Sequence, residues 1–302
     1  MPQVSVIIPT YNRAETIEAA VRSVLQQTFQ DFEVLVVDDA STDDTVARLS
    51  RIEDSRLTVI GAPTNGGGAR ARNLGLERAT APLVAFQDSD DFWLPTKLAS
   101  QVALLQQGDA GTVATFCSFI YLSGPRAAVL PAGTEIPPAE IARTLFRRNL
   151  ISTQTLLARR SEIEAIGGFD PAMPRFQDWE LCIRLAQRGE IRHDPTPRVV
   201  VCATPNSIST RYGASLEARQ RIIDLCRRLD APREAQAAQC FTLGTRLLAV
   251  GRTREAAAAF RAARGLGGGL KPRVGIALSY LPSGLFKTFT EPAIIRRDSG
   301  LR

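Results

Sequence analysis

Asp38-Asp39, Asp88-Ser89-Asp90-Asp91 and Asp178 are the residues whose type and spacing point to chemistry. The first two groups each follow a short apolar run, Val34 to Val37 and Leu83 to Phe86, and Asp178 precedes a helical stretch starting near Trp179. Carboxylates this close repel one another unless a cation sits among them. An Asp-x-Asp at a strand end therefore reads as a site for a hard divalent ion, which takes oxygen ligands and keeps phosphate oxygens as partners. An isolated Asp-rich turn is equally a solvated turn, so the surrounding elements must decide.

Those elements alternate. Val4 to Ile8 is a short apolar run stopped by Pro9, and Thr16 to Gln27 carries Ile17, Ala20, Val21, Val24 and Leu25 on one helical stripe. Val34 to Val37 reads as a strand buried on both faces. Ser41-Thr42-Asp43-Asp44 caps a helix through about Ser50, Leu57 to Ile60 is a strand, Gly66-Gly67-Gly68 opens a helix through about Arg78, and Leu83 to Phe86 is a fourth strand. This order predicts an α/β fold with a mainly parallel sheet flanked by helices, whose ligands sit at the carboxyl ends of the strands. Further on, the pattern predicts helices over 97–106, 139–147, 161–166 and 179–188, strands over 113–122 and 153–158, and a loop over 125–138. From Leu216 the chain reads as helical, and 244–266 splits at Gly251-Arg252 like one helix–turn–helix unit of tetratricopeptide type.

The 302 residues are 44% hydrophobic and 23% charged, the balance of a globular chain. No run approaches the ~18 apolar residues of a membrane span, and the start lacks the basic and apolar regions of a signal peptide. Five scattered cysteines without a C-x-x-C pair argue against a disulfide framework or zinc site and for a reducing compartment. The net charge of +6 is uneven: residues 215–302 hold 16 Arg/Lys against 7 Asp/Glu, and residues 1–214 hold 21 against 24. A basic C-terminal third can meet an anionic membrane or nucleic acid, and charge alone does not choose.

Taken in order, Val4-Ser5-Val6-Ile7-Ile8-Pro9-Thr10-Tyr11-Asn12, Gln27-Thr28-Phe29, Asp38-Asp39-Ala40-Ser41-Thr42-Asp43, Asn65-Gly66-Gly67 through Asn73, Asp88-Ser89-Asp90, Gly167-Gly168-Phe169-Asp170 and Asp178-Trp179-Glu180-Leu181 resemble the family 2 glycosyltransferases. The resemblance covers roughly residues 3–210. It implies a GT-A nucleotide-binding fold over 1–214, with a small C-terminal α-helical region at 215–266 and a basic, partly apolar tail at 267–302. It implies an inverting enzyme that moves a sugar from a nucleoside-diphosphate sugar, a UDP-sugar first, to a hydroxyl of a glycan, lipid-linked or glycoprotein acceptor.

Residue by residue, the resemblance places Pro9, Thr10 and Tyr11 around the nucleotide base, Asp39 as acceptor of the base N–H, Asp38 as organiser of the turn, and Arg72 on the diphosphate. A Tyr ring offers a stacking face, and a guanidinium binds two oxygens. Arg70 reads as a second diphosphate contact or a solvated helix residue. Asp88 falls near the ribose or metal, and Asp90 is the direct ligand of Mg²⁺ or Mn²⁺. Asp91 reads as a helix cap. Asp178 is the base that takes the acceptor hydroxyl's proton; its bland alternative is a helix N-cap. Two departures stand out: Gln177 where the family commonly has Glu, and Thr204 where a His often falls. The only histidine, His193, reads as structural or surface.

The implied partners are a nucleotide-sugar donor, a glycan or lipid-linked acceptor and peripheral membrane contact through 267–302, without nucleic acid, at the cytoplasmic face. One rival is a catalytically inactive transferase-like domain serving as an interaction module. The other is a haloacid-dehalogenase-type phosphatase, which needs its Asp-x-Asp on an early strand and a lysine downstream.

Overall fold

The computed structural model describes residues 1–202 and 212–280. Nine strands form one sheet: β1 (Val4–Thr10), β2 (Phe32–Asp38), β3 (Leu57–Gly61), β4 (Leu83–Phe86), β5 (Phe92–Trp93), β6 (Thr112–Ser123), β7 (Arg126–Leu130), β8 (Leu156–Arg159) and β9 (Glu190–Cys202). Their order is β3-β2-β1-β4-β8-β6-β9-β5, with β7 paired to β6. The helices are α1 (Ile17–Leu25), α2 (Thr45–Leu49), α3 (Gly68–Arg78), α4 (Lys97–Gln106), α5 (Pro138–Leu145), α6 (Arg160–Ala165), α7 (Gln177–Leu185), α8 (Tyr212–Arg228), α9 (Arg233–Ala249), α10 (Thr253–Gly265) and α11 (Lys271–Leu278).

The expected parallel arrangement holds from β3 through β4. Beyond β4 the sheet is mixed: β8 runs antiparallel to β4 and β6, while β6 and β9 run parallel. Both faces of β1 are buried, as its continuous apolar run requires. Val4, Val6 and Ile8 share a core with Ile17, Val21 and Val24 of α1, Leu49 of α2 and Leu98 and Val102 of α4. On the opposite face Ile7 meets α3 so closely that a Cβ at Gly75 would stand 2.5 Å from its Cγ2. Gly75 thus sets how near α3 lies to the sheet.

Several expectations change. The 125–138 stretch is not all loop, because Arg126–Leu130 pairs with β6 as a hairpin. Residues 153–155 form a 3-10 turn before β8 instead of a strand. β5 and the long β9 were not anticipated.

By contacts the chain divides into two units. The first, holding the sheet, takes residues 1–145, 149–172 and the described part of 177–207. The second takes 146–148, 173–176 and the described part of 208–302. It is helical, with Ile223, Leu243, Leu247, Phe260 and Ala263 in its core. Gln239 is central to it: its Nε2 donates to the Phe146 carbonyl at 2.9 Å, and its Oε1 accepts from Arg219 at 2.7 Å. Arg219 is buried, and desolvation pulls its pKa down to about 10. Among the described residues no helix is long and apolar enough to cross a membrane.

Candidate functional site

Register brings the carboxyl ends of the early strands level. Thr10 lies beside Asp38, Asp38 beside Gly61, and Gln87 N–H donates to the Ile7 carbonyl. The loops after β1, β2, β3 and β4 therefore meet at one edge. The first two are stitched together: Asn12 N–H donates to Ser41 Oγ, Thr42 N–H to Asn12 Oδ1, and Arg13 N–H to Thr45 Oγ1 at 2.7 Å. Asn12 and Ala40 adopt left-handed backbone, at φ 49° and 63°. Pro9 and Thr10 are buried, while Tyr11 is 43% exposed, so its ring is not a core residue.

Asp38 and Asp39 divide the work of the second turn. Asp38 Oδ2 accepts the Ser41 N–H, which organises the turn. Asp39 spans to the glycine loop, Oδ1 accepting Gly66 N–H at 2.8 Å and Oδ2 accepting Gly67 N–H at 2.7 Å. Each oxygen keeps a second lone pair, so holding the loop leaves acceptor capacity for a further donor.

Arg72 stands in the first turns of α3 with its guanidinium between two segments. One Nη donates to Asp88 Oδ1 at 2.6 Å and the other to Gln177 Oε1 at 3.2 Å. Phe169 lies beneath it, 5.5 Å from ring centroid to guanidinium carbon. Arg70 is exposed. Asp90 lies 3.7 Å from an Arg13 Nη. Asp91 does not cap a helix. It is buried, with Oδ2 accepting from Gln154 Nε2 at 2.7 Å and Oδ1 from Cys202 N–H at 3.0 Å, so it ties the acidic loop to the end of β9. Burial pushes its pKa well up, and the negative Asp88 and Asp90 nearby add to the effect.

Asp178 lies in the first turn of α7, which begins at Gln177, rather than at an N-cap. Its Oδ1 accepts Trp179 N–H at 2.8 Å and its Oδ2 accepts from Asn149 Nδ2 at 3.0 Å. Desolvation raises its pKa; the two hydrogen bonds oppose that, while Asp88 adds to it and Arg72 opposes it. Electrostatically, Asp178, Asp88 and Arg72 are one cluster. The turn before α7 is fixed by partners without chemistry of their own. Asn73 accepts Phe169 N–H and donates to the Phe169 carbonyl at 2.8 Å, and Arg184, paired with buried Glu180, donates to the carbonyls of Ile166 and Gly168.

The structure thus gathers Thr10, Asp39, Arg72, Asp88, Asp90 and Asp178 around the carboxyl edge. Sequence reasoning missed Arg13, Asn73, Asn149 and Gln154, which act as partners across long separations. His193 is structural. It is buried, stacks on Phe116 at 4.5 Å, accepts Ile136 N–H on Nδ1 and lies 3.1 Å from Ser118 Oγ on Nε2. Burial lowers its pKa to about 4, so it is neutral at pH 7. Thr204 lies outside the described residues, as does 281–302 of the tail.

Among the described residues no cluster of three or more His, Cys, Asp or Glu surrounds a single point. Asp88 and Asp90 are hard oxygen donors, paired with Arg72 and Arg13 and adding their charge to that of buried Asp91. They fit a Mg²⁺ or Mn²⁺ ion whose remaining ligands are water and phosphate oxygens.

The sequence pattern of Glycosyl transferase family 2 matches residues 5–163, just over half of the chain. The chain belongs to that family. This family 2 chain is 42% identical over 106 residues to the UDP-Glc:alpha-D-GlcNAc-diphosphoundecaprenol beta-1,3-glucosyltransferase WfaP of Escherichia coli, a match covering 35% of this chain and 42% of that protein. The chain matches from about two fifths to two thirds of the length of four such curated relatives, and 18% of two longer ones. Its fold is shared with S. aureus TarS 1-349 in complex with UDP-GlcNAc, at a TM-score of 0.73 and 18% identity, covering 100% of this chain and 93% of that one. It is also shared with the Pyrobaculum calidifontis mannosyltransferase PcManGT in complex with GDP-Man and Mn²⁺, at a TM-score of 0.63 and 23% identity, covering 99% and 86%. The GT-A architecture expected from the sequence is the one observed.

Proposed function

We propose that this family 2 protein is an inverting glycosyltransferase that moves a sugar from a UDP-sugar to a hydroxyl of a lipid-linked or other glycan acceptor. The observation that carries the reading is the meeting of Asp178, Arg72 and Asp88 at the carboxyl edge of the sheet. Tyr11 offers its exposed ring to the base, and Asp39 accepts the base N–H with its remaining lone pairs. Arg72 binds the diphosphate by exchanging part of its bond to Asp88 for phosphate oxygens. Asp88 and Asp90 would hold Mg²⁺ or Mn²⁺, which supplies positive charge against the diphosphate as it leaves.

Asp178 takes the acceptor hydroxyl's proton while that oxygen bonds to the anomeric carbon and the bond from that carbon to the diphosphate oxygen breaks. One base and one displacement invert the configuration. The raised pKa of Asp178 suits it to hold that proton. A lipid-linked acceptor, by analogy with the E. coli relative's diphosphoundecaprenol substrate, puts the protein at the cytoplasmic face of a membrane, touching it through 267–302. The convergence of Asp39, Asp88, Asp90 and Asp178 on one edge of the sheet weighs against an inactive module, and family membership weighs against the phosphatase. Incubation with candidate nucleotide sugars, Mn²⁺ and a polyisoprenyl-diphosphate-linked sugar tests the reading by UDP release. Acceptor-dependent release supports it. Release of inorganic phosphate alone, or no turnover with any nucleotide sugar, refutes it.

A further inference from the structure

In the helical unit, α9, α10 and α11 leave an apolar cavity of about 360 Å³ between them, lined by Phe241, Leu248, Phe260, Val274 and Leu278. Phe241 and Phe260 form its floor, their ring centroids 5.5 Å apart. Its volume lies in the range of small-ligand sites, and its almost wholly apolar lining favours hydrocarbon over water. The cavity opens to solvent beside Leu270, 74% exposed, and Val274, 58% exposed, and Tyr280, 71% exposed, adds apolar surface on the same segment. An occupant longer than the cavity would keep contact as it leaves.

The charge at the cavity and along the two helices that follow α9 is mainly positive. Among the described residues Lys271 is the only charged one that lines it, and as the first residue of α11 it adds to the positive end of that helix. Between Thr253 and Tyr280 the sole acid is Glu255, already paired with Arg252, against Arg254, Arg261, Arg264, Lys271 and Arg273. Hydrocarbon inside and the Lys271 ammonium at the edge describe an amphiphile with an anionic head.

We propose that this cavity binds the isoprenoid tail of a polyisoprenyl phosphate or diphosphate, with Lys271 against the phosphate. The inference rests on the lipid-linked acceptor proposed above and assigns that acceptor's tail a place of its own.

The test is binding of farnesyl phosphate to the full chain, with farnesol and inorganic phosphate as controls. The variants are Leu270→Asp with Val274→Asp, and Lys271→Glu. All three side chains are exposed, so the fold is kept, and unchanged UDP affinity verifies this. Farnesyl phosphate binds the unaltered chain and inorganic phosphate does not. The double variant weakens binding about tenfold or more, the scale of one or two lost apolar contacts, and Lys271→Glu removes the preference over farnesol. Undiminished binding by the double variant, with UDP binding intact, overturns the inference and leaves the transferase reading standing. Absence of binding by the unaltered chain does the same, whether the chain's own 281–302 covers the cavity or only phosphatidylglycerol vesicles bind there. Absence of UDP binding and transfer in the unaltered chain while farnesyl phosphate still binds has the opposite meaning: it removes the transferase reading.

Discussion

Asp178→Asn separates chemistry from architecture because the structure makes its structural cost small. The amide oxygen of the variant still accepts the Trp179 N–H that Oδ1 accepts now at 2.8 Å. On the other side, the new NH₂ faces Asn149, whose amide must turn to present its oxygen in place of the nitrogen now 3.0 Å away. One neutral hydrogen bond replaces one to a charged group, worth ~1 kcal/mol. The lost first-turn charge costs about 0.3–1 kcal/mol, and relief of a desolvated carboxylate works in the opposite direction. The net change in stability is therefore ~1 kcal/mol, small against the ~5–15 kcal/mol of a typical domain. Loss of a general base costs about 10²–10⁴ in rate, or ~3–5 kcal/mol of barrier. The prediction is an unchanged melting curve within a few degrees, unchanged UDP affinity by calorimetry, and UDP release with acceptor lowered by that factor. Transfer within about threefold of the unaltered protein at saturating acceptor would refute the reasoning and reduce Asp178 to a helix-turn residue.

Asn149→Ala removes a hydrogen bond that favours the charged form of Asp178, so its pKa rises further and the acid limb of the kcat–pH profile moves to higher pH; an unmoved limb contradicts the pairing. Asp90→Ala abolishes the Mn²⁺-dependent part of UDP affinity, read by calorimetry with and without Mn²⁺. Gln177→Glu places a second carboxylate on the Arg72 guanidinium and weakens metal-free UDP binding by about tenfold, whereas Gln177→Ala leaves its charge unchanged and costs less; equal effects of the two would show that charge is not the cause. His193 has a folded pKa of about 4 against 6.5, so the unfolded chain binds its proton first. Its contribution to stability is complete above pH 6.5 and declines as pH falls toward 4. The span corresponds to ~3 kcal/mol at full burial, and ~2 kcal/mol allowing for solvent screening. Urea unfolding at pH 7 and 4 measures it, and His193→Asn flattens that slope.

The early strands were readable because burial on both faces leaves an uninterrupted apolar run, as in Val34 to Val37. β9 was hidden by its own residues. Pro195 and Pro197 speak against a strand, yet both fall where the pairing with β6 shifts register between Cys117 and Phe119. A bulge accommodates the missing N–H groups. β5 has two residues and exists because β9 is there to pair with it. At the site, the aspartates were legible because a local motif carries them. Asn149 and Gln154 were not: an amide becomes a partner of Asp178 or Asp91 only once distant segments meet. Asp91 shows the same limit, since its burial depends on Cys202, 111 residues away.

The strip Phe146–Arg148 belongs to the helical unit although sheet residues flank it in the chain. On the ribosome this becomes a matter of waiting. The Phe146 carbonyl is made 93 residues before the Gln239 amide that satisfies it, an interval of roughly 5–20 s at ordinary rates of synthesis. During most of that time the nascent chain carries an apolar side chain and a carbonyl whose native partners do not yet exist. The sheet has a delay of its own, because β5 has no pairing until β9 is made. The sheet unit has all its residues once 207 is made, whereas the helical unit waits for the residues beyond 208, so a stop in translation between the two would release a sheet able to close and a Phe146 strip with no partner.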